Sequence, residues 1–368
     1  MDPSSIAGRS SASRVLIYRL GSLGDFVVAL PVLHLIARVF PDAERLMLTN
    51  KPVVGKAAPA QAVLHGAGLI HHYLSYPVGL RDVSALLKLF KELRAWSPQV
   101  LVYLMEPRKG SAVYRDALFF ALCGIRRMVG VPLAFSAQSN LRKGDGLHEH
   151  AAERLARLVG KLGDARLDSA ASWDLHLTSE EMAAARSALQ FPGGSMFITA
   201  CVGTKRPAND WGAGNWKAAL ARISMRYPKL GLALIGSSDE RAQSDVAASG
   251  WLGPSVNLCG KLSPRESAAV IRGAIAHLGH DSGPMHLAAA AGVPCVAVFS
   301  ARELPGAWFP WGKQHKVIYH SVPCAGCGLE ICVANGKKCI LSITPDEVYR
   351  AAVEILEPRL RGPAQAAI

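Results

Sequence analysis

Residues 14–40 read RVLIYRLGSLGDFVVALPVLHLIARVF: a short apolar run, a turn punctuated by two glycines, and a long apolar stretch. RVLIY, Arg14 to Tyr18, is apolar without alternation, which suits a strand covered on both faces of a parallel sheet. The stretch after Asp25 carries helical spacing. Pro31 must sit in its first turn or kink it, because proline lacks the N–H and crowds the turn before it. Strand, turn and helix at this spacing form the repeating unit of a doubly wound α/β domain, whose ligands gather in the loops that follow the strands.

The same alternation continues outward. RLMLTN near 45, LIHHYL near 69 and VLVYLM near 100 read as further strands, and DVSALLKLFKELRAW is amphipathic, with Leu86, Leu87, Phe90 and Leu93 on one face. A polar segment from about Asp164 to Thr178 reads as a linker. A second alternation then begins: SMFITA, LGLALIG, AIAHLG and PCVAVF read as core strands between 195 and 299. Helices are predicted near Trp216–Tyr227, Glu240–Ser249, Pro264–Gly273 and Pro284–Ala291. A last helix starts at Thr344, with Pro345 in its first position and acids in its first turn. The 368 residues therefore divide into a loose leader (1–13), a first Rossmann-like domain (14–175), a second (176–343) and a C-terminal helix and tail (344–368). Two such domains in tandem are expected to face a central cleft outside the carboxyl ends of both sheets.

The net charge is +13, and residues 1–170 hold 22 Lys+Arg against 13 Asp+Glu, so most of the excess lies in the first domain. Such a field attracts nucleic acid, an anionic membrane or a phosphorylated substrate. The leader lacks the apolar run of a signal peptide, and no apolar stretch reaches the roughly 20 residues of a membrane span. A cytoplasmic protein peripheral to a membrane is the expectation. Cys123, Cys201, Cys259 and Cys295 sit in apolar contexts and read as reduced and buried.

Three loops carry chemistry. GSLGD, Gly21 to Asp25, is neither the GxGxxG dinucleotide fingerprint nor a P-loop. Its Asp25 reads either as a helix cap or as a general base toward an acceptor hydroxyl. HDSGPMH, from His280, ends a strand and opens a helix, so Asp281, Ser282, Gly283 and His286 either surround an anion site at the helix start or form an ordinary capped turn. VGTKRPANDWGAGNW offers Gly203 and Thr204 as donors and Lys205 as a point charge for phosphate.

In order and spacing, GSLGDFVVALPVL, GTK…DWGAGNW, NLCGKLSPRES and HDSGPMHLAAAAGVP resemble the heptosyltransferases of glycosyltransferase family 9, over about residues 14–357. The resemblance implies a GT-B fold of two Rossmann-like domains, with a C-terminal helix crossing back to the first. It implies inverting, metal-independent transfer, without a cofactor, from ADP-heptose to a Kdo or heptose of the lipopolysaccharide inner core. It makes Asp25 the general base. It places Asp281, Ser282, Gly283 and His286 on the donor diphosphate, with Gly203, Thr204 and Lys205 beside the phosphates, Glu240 on the ribose and Leu262 at the base. The partners implied are a nucleotide-sugar and an anionic lipid-linked saccharide at the membrane surface.

The chain also departs from the family. Asn209 stands where many members carry lysine, and MEPRKGSA replaces a DxxG-type loop. Arg108 and Lys109 then become the expected acceptor contacts. Cys324, Cys327, Cys332 and Cys339, spaced C-x2-C-x4-C-x6-C, read as structural cysteines, reduced or partly disulfide-bonded, with a structural zinc site as the alternative. A GT-B enzyme or epimerase using a UDP-sugar is the nearest alternative function. A nucleic-acid binder is another, but the chain lacks the aromatic and basic interleaving that such binding uses.

Overall fold

Arg14–Tyr18 forms strand β1, whose last four residues are buried, in keeping with a strand covered on both faces. The computed structural model describes residues 12–51, 58–77, 79, 82–189, 191 and 195–361, so most of the leader and the C-terminal tail lie outside the described residues. β1 pairs in parallel with β2 (Glu44–Asn50) on one side and with β4 (Val100–Tyr103) on the other. β3 (His72–Tyr76) and β5 (Arg127–Val129) complete a parallel sheet of order β3-β2-β1-β4-β5. The helices around it are α1 (Leu23–Val28), α2 (Leu30–Val39), α3 (Ala60–Leu64), α4 (Val83–Trp96), α5 (Gly110–Leu122), α6 (Phe135–Gln138) and α7 (Ala151–Leu158). Pro31 does both things expected of it: the helix breaks at Ala29, and Pro31 lies in the first turn of α2.

The second sheet is also parallel, of order β11-β10-β9-β6-β7-β8. Its strands are β6 (Phe197–Cys201), β7 (Gly231–Leu234), β8 (Ser255–Asn257), β9 (His277–His280), β10 (Cys295–Phe299) and β11 (Lys316–Tyr319). Its helices are α8 (Ser179–Ala188), α9 (Ala213–Arg226), α10 (Arg241–Ala248), α11 (Pro264–Arg272), α12 (Gly283–Ala290), α13 (Lys338–Leu341) and α14 (Pro345–Arg361). In each sheet the chain runs outward from the middle strand, then returns to its other side. The strand order therefore reverses between β1 and β4, and again between β6 and β9. The loops after those strands diverge there and leave room for a ligand.

The segment read as a linker is part of the first compact unit as far as His176. Trp173 is buried and donates Nε1–H to Leu167 O at 2.7 Å, and His176 Nδ1 meets Ala67 O at 2.8 Å. The first unit comprises 12–141 and 151–176, while Arg142–His150 belongs with 177–361. His148 donates its backbone N–H to Pro305 O at 2.8 Å, which ties that segment to the second unit.

The C-terminal helix is held in the core of the second unit. Val348, Ala352, Ile355 and Leu356 of α14 join the core built around Trp211, Trp216 and Leu220, because one face of the helix is apolar and α9 and β10 present a matching surface. Leu356→Ala should therefore destabilise the second unit by about 2–5 kcal/mol, as buried leucine truncations do, in urea unfolding followed by tryptophan fluorescence. A loss below about 1 kcal/mol would mean that the helix is not held in this core.

Candidate functional site

At the strand reversal of the first unit the loop after β1 is held from three sides. Gly21 donates its N–H to Asn50 Oδ1 at 2.7 Å, at the end of β2. Gly21 has φ +149°, and a side chain there would overlap Asp25 Cβ and Cγ. Asp25 sits in the first turn of α1, three residues after Ser22, and its Oδ2 accepts the Ser22 N–H at 2.8 Å. The capping reading is thus realised, yet the carboxylate is 22% exposed and its Oδ1 lies 3.5 Å from Arg19 Nη2. α1 has only six residues, so its dipole adds little.

Arg19 escaped the sequence reading. It is fully buried and ties the loops after β1 and β4 together. Its guanidinium donates to Leu104 O at 2.7 Å, to Glu106 Oε1 at 2.6 Å and to Asp25 O at 3.1 Å. Arg154 of α7, also buried, reaches the same Glu106 oxygen at 3.1 Å. Burial alone would raise the Glu106 carboxyl. The charges of Arg19 and Arg154 outweigh that and hold it below the ordinary carboxylate range. Nothing in the string RLGSLGD marks this arginine as buried, since its partners come from residues 104–106 and 154.

The two cations expected at the acceptor differ. Lys109 is exposed ahead of α5. Arg108 is engaged: its Nη1 donates to Asp116 Oδ2 at 2.6 Å, and that carboxylate also accepts from Tyr103 OH at 3.0 Å. Tyr18 OH and Tyr76 OH meet at 2.5 Å in the same cluster. Burial and then the Asp116 charge push the Tyr18 phenol up, so it stays protonated.

The second unit's reversal gathers the other residues. Gly203, Thr204 and Lys205 follow β6, and Asp281 and Ser282 follow β9. Asn209 bridges the two loops: its Oδ1 accepts from Ser300 Oγ at 2.5 Å and its Nδ2 reaches Asp281 Oδ2 at 3.5 Å. Asp281 Oδ1 stands 3.8 Å from Nε2 of buried His286, while Ser282 and Gly283 are partly open at the start of α12. Glu240 is buried with its carboxyl against two glycines, where a side chain on either Gly203 or Gly236 would overlap it. Its Oε2 accepts the Ser237 N–H at 2.8 Å. Leu262 lies half-buried after β8 in a loop whose Gly260 packs on Ser238. Lys205 is exposed, and Arg206 pairs with Glu330 at 3.2 Å. The expected donor-loop positions of this unit thus follow β6, β7, β8 and β9, neighbours in one sheet.

His280 is the buried tie of this unit. Its Nε2 accepts from Trp211 N–H and from Trp216 Nε1–H, each at 3.1 Å. A nitrogen that accepts twice carries no proton, so the ring is neutral, and burial pushes its pKa down to about 4. His150, from the segment Arg142–His150, is buried beside Trp311 and meets Phe309 O at 2.9 Å. Burial first and the His286 charge second push it down to about 3.

Cys324, Cys327, Cys332 and Cys339 are free thiols that line one small cavity with Arg302 and Lys338. Among the described residues no group of three His, Cys, Asp or Glu side chains is placed to hold a metal.

Known proteins share the family and the fold of this chain. The family model for glycosyltransferase family 9 (heptosyltransferase) matches residues 116–337, more than half of the chain. Lipopolysaccharide heptosyltransferase 1 of Pseudomonas aeruginosa is 28% identical over 184 residues, covering 50% of this chain and 49% of that protein. The chain spans about half or less of the length of the curated relatives it matches. A family 9 glycosyl transferase from Veillonella parvula superposes with a TM-score of 0.70 at 17% identity, covering 94% of this chain and 98% of that one. ADP-heptose lps heptosyltransferase II of E. coli does so with 0.64 at 17%, covering 94% and 99%. At these identities the likeness is one of fold, two parallel-sheet domains of the GT-B type.

His280 and His150, together with His277 (pushed to about 3 by burial), give the second unit a defined acid response. Each folded pKa lies below the unfolded value near 6.5, so the unfolded chain binds more protons as pH falls from 6.5 toward 4. Stability is then lost by up to about 1.4 kcal/mol per pH unit for each group. Urea midpoints at pH 7 and pH 5 should show this drop, and His280→Gln should lessen it. Equal midpoints would mean that the rings are charged in the folded state.

Proposed function

We propose, since this chain belongs to glycosyltransferase family 9, the heptosyltransferases, that it moves a heptose-type sugar from ADP-heptose to a lipopolysaccharide core acceptor with inversion. The observation that carries this reading is the carboxyl edge of the second sheet. The Gly203–Lys205 loop, the Glu240 carboxyl and the open start of α12 lie along one strand reversal. A nucleoside diphosphate needs those three things: backbone donors and positive charge for phosphate, a carboxylate for ribose hydroxyls, and a helix start for the charge that grows on departure.

In this mechanism the acceptor hydroxyl gives its proton to Asp25 as its oxygen attacks the anomeric carbon. The bond from that carbon to the diphosphate oxygen breaks, and ADP leaves with the electron pair. Lys205, His286 and the N–H groups at Ser282–Gly283 stabilise that charge, Glu240 holds the ribose, and Leu262 lodges the base. Lys109, with the solvent-facing side of Arg108, receives the acceptor's anionic groups. The basic first unit suits a lipid-linked acceptor on an anionic surface, with the enzyme cytoplasmic and peripheral to the membrane.

Two measurements test this. ADP should raise the melting temperature more than UDP or GDP, with Lys205→Ala reducing the shift, because a ligand that binds only the folded state stabilises it. Best stabilisation by UDP would turn the reading toward a UDP-sugar enzyme. Asp25→Asn should keep the fold and the ADP shift while lowering turnover by about 10²–10⁴. Near-normal turnover would leave Asp25 a cap alone.

A further inference from the structure

α5 carries apolar residues on two faces, one buried and one exposed. Val113, Asp116 and Phe120 face the sheet and are buried. Tyr114, Leu118 and Leu122 repeat at intervals of four on the far side and are 58%, 61% and 60% exposed. Leu133, 54% exposed, extends the stripe, since Tyr114 OH donates to its carbonyl at 3.2 Å. A soluble surface tolerates single leucines, but a continuous apolar stripe opposite a buried face marks something that covers it.

The charges around the stripe identify the occupant. Residues 107–134 contain five Lys or Arg and one acid. That acid, Asp116, is buried and paired with Arg108 and Arg115. Lys109 precedes the helix, and Arg126 and Arg127 follow it, all exposed. Leucine and tyrosine on one face, cations at both ends and no exposed acid among residues 107–134 are what an interfacial helix presents to anionic headgroups. No described helix is long and apolar enough to cross a membrane, and α5, at 13 residues, is well short of a span.

We infer that the outer face of α5 is a docking surface for an anionic lipid bilayer, with Tyr114, Leu118 and Leu122 entering the headgroup boundary and Arg126 and its neighbours meeting lipid phosphates. This deepens the proposed membrane contact and rests on that reading for its biological sense, although lipid binding itself does not require turnover. Substitutions on this face are expected to be tolerated, because the side chains stand in solvent.

The full chain is mixed with vesicles of phosphatidylcholine containing about one-third phosphatidylglycerol, and with vesicles of phosphatidylcholine alone, and pelleted. Capture should be at least about tenfold stronger on the anionic vesicles and should fall with salt. Leu118→Glu with Leu122→Glu should weaken it at least about 30-fold at unchanged melting temperature, and Arg126→Glu about tenfold. Unchanged capture by the double variant, or equal capture by neutral vesicles, overturns the proposal. So does a dimer in sedimentation that the double variant abolishes while vesicles capture neither protein, since a second copy would then cover the stripe. The ADP-induced thermal shift, measured on the same proteins, separates the two readings. Lost capture with an intact shift removes the surface alone, and intact capture without a shift removes the donor assignment alone.

Discussion

A parallel strand buried on both faces has no room for chemistry along its length. Its side chains are committed to the helices above and below, and its backbone groups to its neighbours. Function is pushed to the carboxyl end, and most of all to the point where strand order reverses and adjacent loops part. Both sheets obey this constraint: GSLGD and MEPR flank the reversal between β1 and β4, and GTK and DSG flank that between β6 and β9.

Parting loops need something to hold them in register, and each unit uses a buried polar group for it. Arg19 joins the first pair through two backbone carbonyls and Glu106. His280 joins the second by accepting from the tryptophans that begin α9. Such groups are expensive to bury and worth little as net stability, but leaving any one partner unmet costs several kcal/mol. They therefore select one loop geometry over its neighbours. Glu240 acts similarly with steric means: Gly203 and Gly236 are needed because its carboxyl occupies the space of any side chain there.

The long core strands were legible, because a continuous apolar run between turns has one good explanation. β5, β8 and β11 were not, having three or four residues each and lying at or toward the edges, where SVN or KVIY is only partly buried. The site was legible as loops and not as contacts. Gly21, Asp25, Gly203, Asp281 and Ser282 announce themselves by position after a strand. Arg19, Arg154 and Asn209 gain their roles from partners far away in sequence, which no local pattern encodes. A related case is the segment from 164 to 178, whose polar composition hid Trp173 and Leu175, both buried.

The capping and base readings of Asp25, which compete on the sequence, are compatible in the folded loop. One oxygen is spent on the Ser22 N–H, which locks the side chain in a single rotamer and fixes where the carboxylate points. The other, Oδ1, lies 3.5 Å from Arg19 Nη2 on a carboxylate that is 22% exposed. A base must be held still before it can be used, since misplacement by about an ångström can cost a hundredfold in rate. The cap supplies that stillness without consuming the acceptor. Gly21 is the condition for both, because any side chain at that position would displace the carboxylate it frames.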